Sequence, residues 1–179
     1  EAEPEVTDEA AIASSIGQGT NNYTTSQLAR YATTIASRGT SYSISLLDKV
    51  TDSQGNLVKD YTPEIINQMD VSDSEWDIIH NGMREVVENN AAFDDLDYAV
   101  SGKTGTAENT GHPSHGLFIG FTPSDDPEIA MAVRIANGYS STNAAAVAKD
   151  VIKYEYNLAD ESQLLSGTAT SGESTAQTD

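Results

Sequence analysis

Residues 101–108 carry the side chains best suited to act together on a substrate, in the order Ser-Gly-Lys-Thr-Gly-Thr-Ala-Glu. The Lys103 ammonium and the Thr104 hydroxyl can hold a carboxylate through charge-assisted hydrogen bonds. Gly105 lets a ligand come close to an edge strand, where a larger side chain would block it. The backbone N–H of Thr106 can point at an oxygen that gains negative charge during a reaction. This pattern predicts carboxylate binding combined with stabilisation of an oxyanion.

A nucleotide-binding loop is one alternative for the same segment, because Gly102-Lys103-Thr104 matches the last residues of a P-loop. That loop needs a glycine five residues before Gly102, where this chain has Asp97, and a helix directly after the lysine. An apolar strand pattern follows instead, so we discount a nucleotide site. The other alternative is a Lys and a Thr that merely lie on an exposed strand.

Histidines close to this segment raise the question of a metal ion. His112 and His115 are three residues apart on the loop expected after residue 108, but no third ligand is arranged nearby. We therefore predict a loop role for both and neither a metal ion nor another cofactor. Glu108 is expected to be a solvated strand end rather than a general base.

Two further polar residues are given structural roles. Gln18 lies between Gly17 and Gly19, and this pattern favours a residue that shapes a turn over one that binds substrate. His80 is expected to be partly exposed on a helix.

Several elements must position the 101–108 segment. Capping boxes predict the starts of two helices, Thr24 with Gln27 and Ser72 with Glu75, and Gly39 and Asn89-Asn90 are their expected ends. Residues 42–50 are predicted to be a strand, with a hairpin turn at 52–56 and a short run at 57–59. Later strands are expected near 98–107, 117–121 and 128–136, paired antiparallel, followed by a helix over about 142–158.

Charge and composition exclude several kinds of partner. The 179 residues contain 28 acids and 9 bases, for a net charge of -19, which repels nucleic acid and anionic lipid. There is no cysteine, hence no disulfide and no thiolate nucleophile. The acidic residues 1–9 and the Ser/Thr/Gly-rich residues 160–179 are expected to be flexible or disordered. The predicted domain is residues 10–159, on which -10 of the charge remains.

Four sequence blocks together resemble the transpeptidase domain of penicillin-binding proteins. They are Ala13–Gly19 with the helix after it, Trp76–Val87, the Gly-Lys-Thr-Gly-Thr-Ala-Glu block within Ser101–Glu108, and His115–Pro123. Leu117 stands where that family usually has Trp. The resemblance implies an α/β (α+β) fold of the β-lactamase/transpeptidase type, with an antiparallel sheet packed against helices.

In that family a serine attacks the D-Ala-D-Ala end of peptidoglycan stem peptides and is acylated by the peptide. β-Lactam antibiotics acylate the same serine. The resemblance implies that Lys103, Thr104 and Gly105 bind the substrate or drug carboxylate, and that Thr106 contributes its backbone N–H to the oxyanion hole. Lys103 and Thr106 are thus the expected catalytic residues. The family acts outside the cytoplasmic membrane, and cell-division or elongation proteins are the partners implied.

No Ser-x-x-Lys nucleophile motif occurs in the 179 residues. Ser141-Thr142-Asn143 has the spacing of the family's Ser-x-Asn, but it follows the Lys-Thr-Gly motif, so we interpret Ser141 as a helix cap. We therefore expect that the chain is the C-terminal part of the domain and is inactive alone. The nucleophile would come from the missing N-terminal part of the same protein or from another chain. A non-catalytic penicillin-binding or sensor module, and a D,D-carboxypeptidase or β-lactamase-like hydrolase, are the alternatives.

Overall fold

The computed structural model describes residues 7–19, 22–109 and 111–164. The helices in these ranges are α1 Asp8–Ser15, α2 Thr25–Ala36, α3 Asp73–Glu88, α4 Ser141–Glu155 and α5 Glu161–Leu164, with a 3₁₀ turn at Ala91–Phe93. The strands are β1 Thr40–Tyr42, β2 Lys49–Thr51, β3 Leu57–Asp60, β4 Ile65–Gln68, β5 Ser101–Asn109, β6 His112–Thr122 and β7 Ile129–Ile135.

The last three strands form an antiparallel sheet in the order β5-β6-β7. The predicted antiparallel pairing of these strands is confirmed. Lys103 of β5 lies opposite Ile119 of β6, which lies opposite Ala132 of β7. Among the described strands β5 pairs with β6 alone, so it is an outer strand of this sheet.

The two faces of this sheet pack against different helices. Phe118 and Phe121 of β6 are fully buried, and because they are three residues apart they point to opposite faces. Phe118 belongs to a core cluster that includes four residues of α4, namely Ala144, Ala145, Ala148 and Ile152. Phe121 clusters with Ile35 of α2 and with Trp76 and Met83 of α3. The sheet is therefore a layer between α4 on one side and α2 with α3 on the other.

Both predicted capping boxes are present. Thr24 Oγ1 accepts from the backbone N–H of Gln27, whose side chain accepts in return from the Thr24 N–H, and Ser72 and Glu75 make the same pair of bonds. These short polar patterns act on neighbouring residues only, so they fix the first turns of α2 and α3 independently of the rest of the fold. The left-handed φ of 99° at Gly39 matches its predicted place after α2.

The predicted strand over residues 42–50 is wrong. β1 ends at Tyr42 and pairs with β4, which the sequence analysis did not predict, while β2 begins at Lys49 and forms the expected hairpin with β3. The apolar residues in between alternate with serines as far as Leu46, yet they are exposed: Ile44, Leu46 and Leu47. A continuous strand needs a partner along its whole length, and β1 and β2 have different partners.

Two residues differ from their predicted surroundings. His80 is buried rather than partly exposed; its Nε2–H donates to the carbonyl of Ile35 at 2.8 Å, and its ring centroid lies 4.8 Å from that of Phe121. The cap of α4 is Ser140 rather than Ser141, because the Ser140 hydroxyl accepts from the Thr142 N–H. Ser141 is the first helical residue and is buried.

Helices extend beyond the predicted domain bounds, residues 10 and 159, at both ends. Asp8 and Glu9 form the first turn of α1 behind the cap Thr7, where negative side chains are favourable, so the expected boundary at residue 9 falls inside a helix. Of the tail 160–179, residues 161–164 form α5. Residues 1–6 and 165–179 lie outside the described part of the chain.

Asp95 joins the segment before β5 to α4. Its carboxylate accepts hydrogen bonds from Lys149 Nζ at 2.8 Å and Lys153 Nζ at 2.6 Å. These two bonds, that of Lys149 first, lower the pKa of Asp95 to about 2. Within the described part of the chain, no helix combines the length and apolar character needed to cross a bilayer.

Candidate functional site

The four predicted site residues are consecutive on the outer strand β5. Ser101 and Gly102 at the start of the strand are buried, Lys103 is exposed, and residues 104–106 are half-buried. In the register, Thr104 lies opposite Phe118, Gly105 opposite Leu117 and Thr106 opposite Gly116. Side chains alternate along a strand, so Lys103 projects from the face opposite to that of Thr104 and Thr106.

Glycines on β5 have different surroundings. A Cβ at Gly102 would lie 2.6 Å from Cε2 of Phe118 and 2.9 Å from the carbonyl oxygen of Ile119, distances that real side chains do not reach. A Cβ at Gly105 would meet only Cβ of Leu117, at the ordinary contact distance of 3.7 Å. The packing of the described residues therefore requires glycine at 102 and leaves space at 105.

Lys103 is a cation without a neighbouring acid. Its Nζ donates to the carbonyl oxygen of Thr104 at 2.9 Å. Among the residues that the structure describes, no carboxylate lies within ion-pair distance of Lys103, whereas Lys149 and Lys153 are held by Asp95. A bond to one backbone carbonyl leaves the charge of the ammonium uncompensated, so Lys103 can accept an anion.

Arg134 adds a second positive charge to the face of Lys103. Gly105 lies opposite Leu117, and Leu117 lies opposite Arg134, so all three side-chain positions share one face of the sheet. Arg134 is exposed. No local pattern identifies Arg134 as a site residue, because a charged residue between apolar neighbours is common on strands.

A turn far away in sequence contacts the site. The side-chain Nε2 of Gln18 donates to the backbone carbonyl of Thr106 at 3.2 Å, across 88 residues. Gln18 was predicted to shape a turn, and its N–H does bond to the carbonyl of Ala13 at 2.9 Å. No local signal in the sequence indicates its contact with β5.

The structure places the histidines near the site on a different element from the predicted one. Both lie on strand β6 rather than on the loop predicted for them, and His115 Nδ1 accepts from the backbone N–H of Asn137 at 3.0 Å. Searched over the described residues, the structure has no group of three side chains able to hold a metal ion. Glu108 is exposed on β5, as expected for a solvated position.

These features define what the strand can do. An exposed ammonium and a position open to a ligand share one face of the outer strand, and the hydroxyl of the residue between them lies on the other face. Together they suit recognition of a carboxylate, and the following backbone N–H suits a developing negative charge. A general base or nucleophile is not evident beside them in the described residues.

Comparison with known proteins identifies a family over most of the chain. A family model described as the penicillin binding protein transpeptidase domain matches residues 3–153. The sequence resemblance is thereby confirmed.

Curated relatives are similar over a shorter part of their own length. The chain is 30% identical over 150 residues to penicillin-binding protein 2B of Streptococcus pneumoniae, a match that covers 74% of this chain and 22% of that protein. It is 31% identical over 160 residues to the peptidoglycan D,D-transpeptidase MrdA of Acinetobacter baumannii, covering 80% and 24%. The chain thus spans about a quarter of the length of these relatives.

Solved structures share the fold. Penicillin-binding protein 2B of Streptococcus pneumoniae superposes with a TM-score of 0.72 at 26% identity, over 88% of this chain and 28% of that one. PBP2 of Pseudomonas aeruginosa gives 0.67 at 32% identity, over 85% and 33%. An imipenem acyl-enzyme complex of penicillin-binding protein A from M. tuberculosis gives 0.71 at 25% identity, over 80% and 33%. The predicted α/β (α+β) fold is confirmed, and the chain corresponds to part of it.

Proposed function

The chain belongs to the penicillin-binding protein transpeptidase domain family, and on this premise we propose that it forms part of a peptidoglycan D,D-transpeptidase. Its contribution is the strand β5 with Lys103 and the three residues after it. The observation that carries the proposal is an uncompensated lysine followed by an open glycine on an outer strand, inside the range matched by the family.

Lys103 and Thr104 bind the carboxylate of the substrate in this proposal, one from each face of the outer strand, with the carboxylate at the strand edge between them. The carboxylate displaces the Thr104 carbonyl from Lys103 Nζ, and an ion pair replaces a neutral acceptor. Arg134, exposed on the face of Lys103, adds to the positive potential that attracts the anion. On a chain with a net charge of -19, this local positive charge gives the site its selectivity for anions.

Gly105 and Thr106 act on the carbonyl that reacts. Gly105 leaves room for the ligand backbone along β5, and the N–H of Thr106 donates to the carbonyl oxygen as it becomes an oxyanion. An oxyanion-hole donor is already in place before the reaction, so it stabilises the transition state without reorganisation.

The reaction proposed is acyl transfer in two steps. A serine Oγ attacks the penultimate D-Ala carbonyl of a stem peptide, the C–N bond to the terminal D-Ala breaks, and the serine proton passes to the departing amine. An amine of a second stem peptide then attacks the ester, which releases the serine and forms a cross-link. The serine lies outside these 179 residues, because they contain no Ser-x-x-Lys.

β-Lactams are the second class of ligand, since a penicillin presents a carboxylate and a reactive carbonyl in one rigid molecule. The imipenem acyl-enzyme complex of penicillin-binding protein A from M. tuberculosis, a structure 25% identical to this chain, supports this assignment. The peptidoglycan substrate places the reaction on the outer side of the cytoplasmic membrane.

Labelling with a fluorescent penicillin tests the proposal. The protein that joins this chain to the segment with the nucleophile should form a covalent adduct, and the 179 residues alone should form none. Incubation with a stem-peptide donor and an amine acceptor should then give a cross-linked product. An adduct on the isolated chain would contradict the place given to the serine, and hydrolysis in place of cross-linking would identify a carboxypeptidase.

A further inference from the structure

The turn at residues 16–19 is the part of the sequence pattern that the proposed reaction does not use. We propose that Gln18 is a positioning residue, which holds the carbonyl of Thr106 and thereby fixes the direction of the Thr106 N–H toward the oxyanion. The inference rests on the proposed function, because the oxyanion role of Thr106 belongs to that proposal. The contact itself is the 3.2 Å hydrogen bond from Gln18 Nε2.

The backbone of Gln18 is held from both sides. Gly17 and Gly19 have φ angles of 75° and 93°, in the left-handed region that other residues rarely adopt. The N–H of Gln18 donates to the carbonyl of Ala13 in the last turn of α1, at 2.9 Å. A Cβ at Gly19 would lie 3.0 Å from that of Ala13, so the chain passes tightly over the helix. The position of the Gln18 Cα, from which the side chain extends, is therefore constrained by the backbone.

Glycines are the strand neighbours of Thr106. The residue before it is Gly105, and the residue opposite it is Gly116. A Cβ at Gly116 would overlap the carbonyl oxygen of Ser140, so no side chain fits there. At the start of the strand, by contrast, Ser101 is fully buried and its hydroxyl bonds to that of Ser124 at 2.9 Å. At Thr106, the hydrogen bond from Gln18 adds order that the neighbouring glycines cannot supply through side-chain packing.

A bond to a carbonyl also orients the N–H of the same residue. In a strand the N–H and C=O of one residue point to the same side, as the paired bonds of antiparallel ladders show. A carbonyl oxygen only accepts, so the Gln18 atom that faces Thr106 is the amide nitrogen. Anchoring the Thr106 carbonyl holds the peptide plane that follows Thr106. The extended strand conformation of Thr106 couples this plane to the preceding one, which carries the N–H.

Such a role predicts a loss in rate with little loss in binding. The oxyanion exists only in the transition state, whereas the carboxylate contacts of Lys103 and Thr104 exist in the ground state as well. A misdirected donor should lower the limiting rate of acylation and leave the half-saturating penicillin concentration nearly unchanged.

The test uses the complete protein with the Gln18→Met variant, which is neutral, similar in size and unable to donate. The limiting acylation rate with penicillin should fall about tenfold, while half-saturation changes less than about twofold. The melting temperature should stay that of the unmodified protein. Gln54→Met, at the exposed β2–β3 turn, is the matched control and should change none of the three.

The Gln18→Glu variant adds a readout that a structural role would not move. An ionised carboxylate cannot donate to Thr106, but a protonated one can. The limiting rate relative to the unmodified protein should therefore rise as the pH falls from 7 to 5. The same ratio for Gln18→Met should stay flat.

Several results would overturn the inference. One is a Gln18→Met variant that acylates at the unmodified rate. Another is a variant that melts at lower temperature and loses binding together with rate, which would make Gln18 structural only. If the unmodified protein takes up no penicillin, the proposed function itself fails. If Lys103→Ala slows acylation and Gln18→Met does not, only the role of Gln18 fails.

Discussion

The two halves of β5 belong to one strand but depend on different partners. Ser101 and Gly102 are buried against β6 and the ring of Phe118, so the core determines which residues fit there. From Lys103 to Thr106 the strand is exposed or half-buried, and its contacts are polar. The first half is constrained by folding, and the second half is open to constraint by a ligand.

The glycines show the difference most clearly. Gly102 and Gly105 are three residues apart and chemically the same, yet an added methyl group would overlap core atoms at one and meet ordinary space at the other. A glycine that the fold does not require is a better indicator of a site than a glycine that it does require. Mutations at the two positions should therefore separate stability from activity.

Gly102→Ala should have the largest effect. Its methyl group would overlap the Phe118 ring and press on the Ile119 carbonyl, which should lower the free energy of unfolding by about 3 kcal/mol. Urea denaturation of the chain, compared with Gly82→Ala on α3, measures it. A methyl group at Gly82 meets no atom within 4 Å and should stabilise the helix. Equal midpoints for Gly102→Ala and the unmodified chain would remove the distinction between the two halves.

Lys103→Ala should affect activity alone. Loss of the carboxylate anchor should slow penicillin acylation of the complete protein about a hundredfold. Because Lys103 is exposed and bonds only to the adjacent carbonyl among the described residues, the denaturation midpoint should stay unchanged. Lys59→Ala, on the exposed strand β3, is the control for loss of a positive charge. A stability loss with normal acylation would assign Lys103 to the fold.

The ion pairs of Asp95 with Lys149 and Lys153 connect the segment before β5 to α4, and their contribution to stability can be measured. Its pKa is about 2 in the folded chain against an ordinary 3.8, so its ion pairs stabilise the fold above pH 4. This contribution is lost as the pH falls through 2. Because Asp95 is largely exposed, Asp95→Asn at pH 7 should cost only about 0.5–1 kcal/mol. The difference between variant and unmodified chain should shrink in acid, and a difference independent of pH would exclude the ion pairs as its cause.

Gly105→Ala should have the smallest effect on stability. Its methyl group meets one atom at contact distance, so the free energy of unfolding should change by less than about 0.5 kcal/mol. Acylation by penicillin should nevertheless fall, because the methyl group occupies space that the ligand needs. Denaturation and acylation measured on the same variant sharpen the comparison with Gly102→Ala. A large loss of stability would place Gly105 with the core.

The elements that sequence predicts well here are those that local residues determine. The capping boxes at Thr24 and Ser72 act within four residues, and both helices begin where expected. The apolar runs in β6 and β7 are long enough to predict strands from the local sequence alone. The prediction of a strand over residues 42–50 was wrong because strand pairing determines the structure there. The partner of β1 is β4, which lies more than 20 residues later in the chain. The prediction that His80 is partly exposed was wrong because Phe121, which packs against its ring, lies far along the chain.

The site divides in the same way. Lys103, Thr104, Gly105 and Thr106 are consecutive, so their order and their strand could be predicted from residues 101–108. Their exposure, and the contrast between the two glycines, depend on β6. The contact of Gln18 with Thr106 depends on the chain returning after 88 residues, and Arg134 joins the site face only through two strand pairings. Neither is visible in a local pattern.

The burial of Trp76 has a practical consequence for all of these measurements. It is the only tryptophan of the 179 residues, it is 3% exposed, and it lies in the cluster with Ile35 and Phe121 between α3, α2 and the sheet. Its fluorescence therefore reports the separation of these elements on unfolding, through a shift to longer wavelength as water reaches the indole. The chain thus carries an intrinsic optical probe of its core, and folding can be followed without a label.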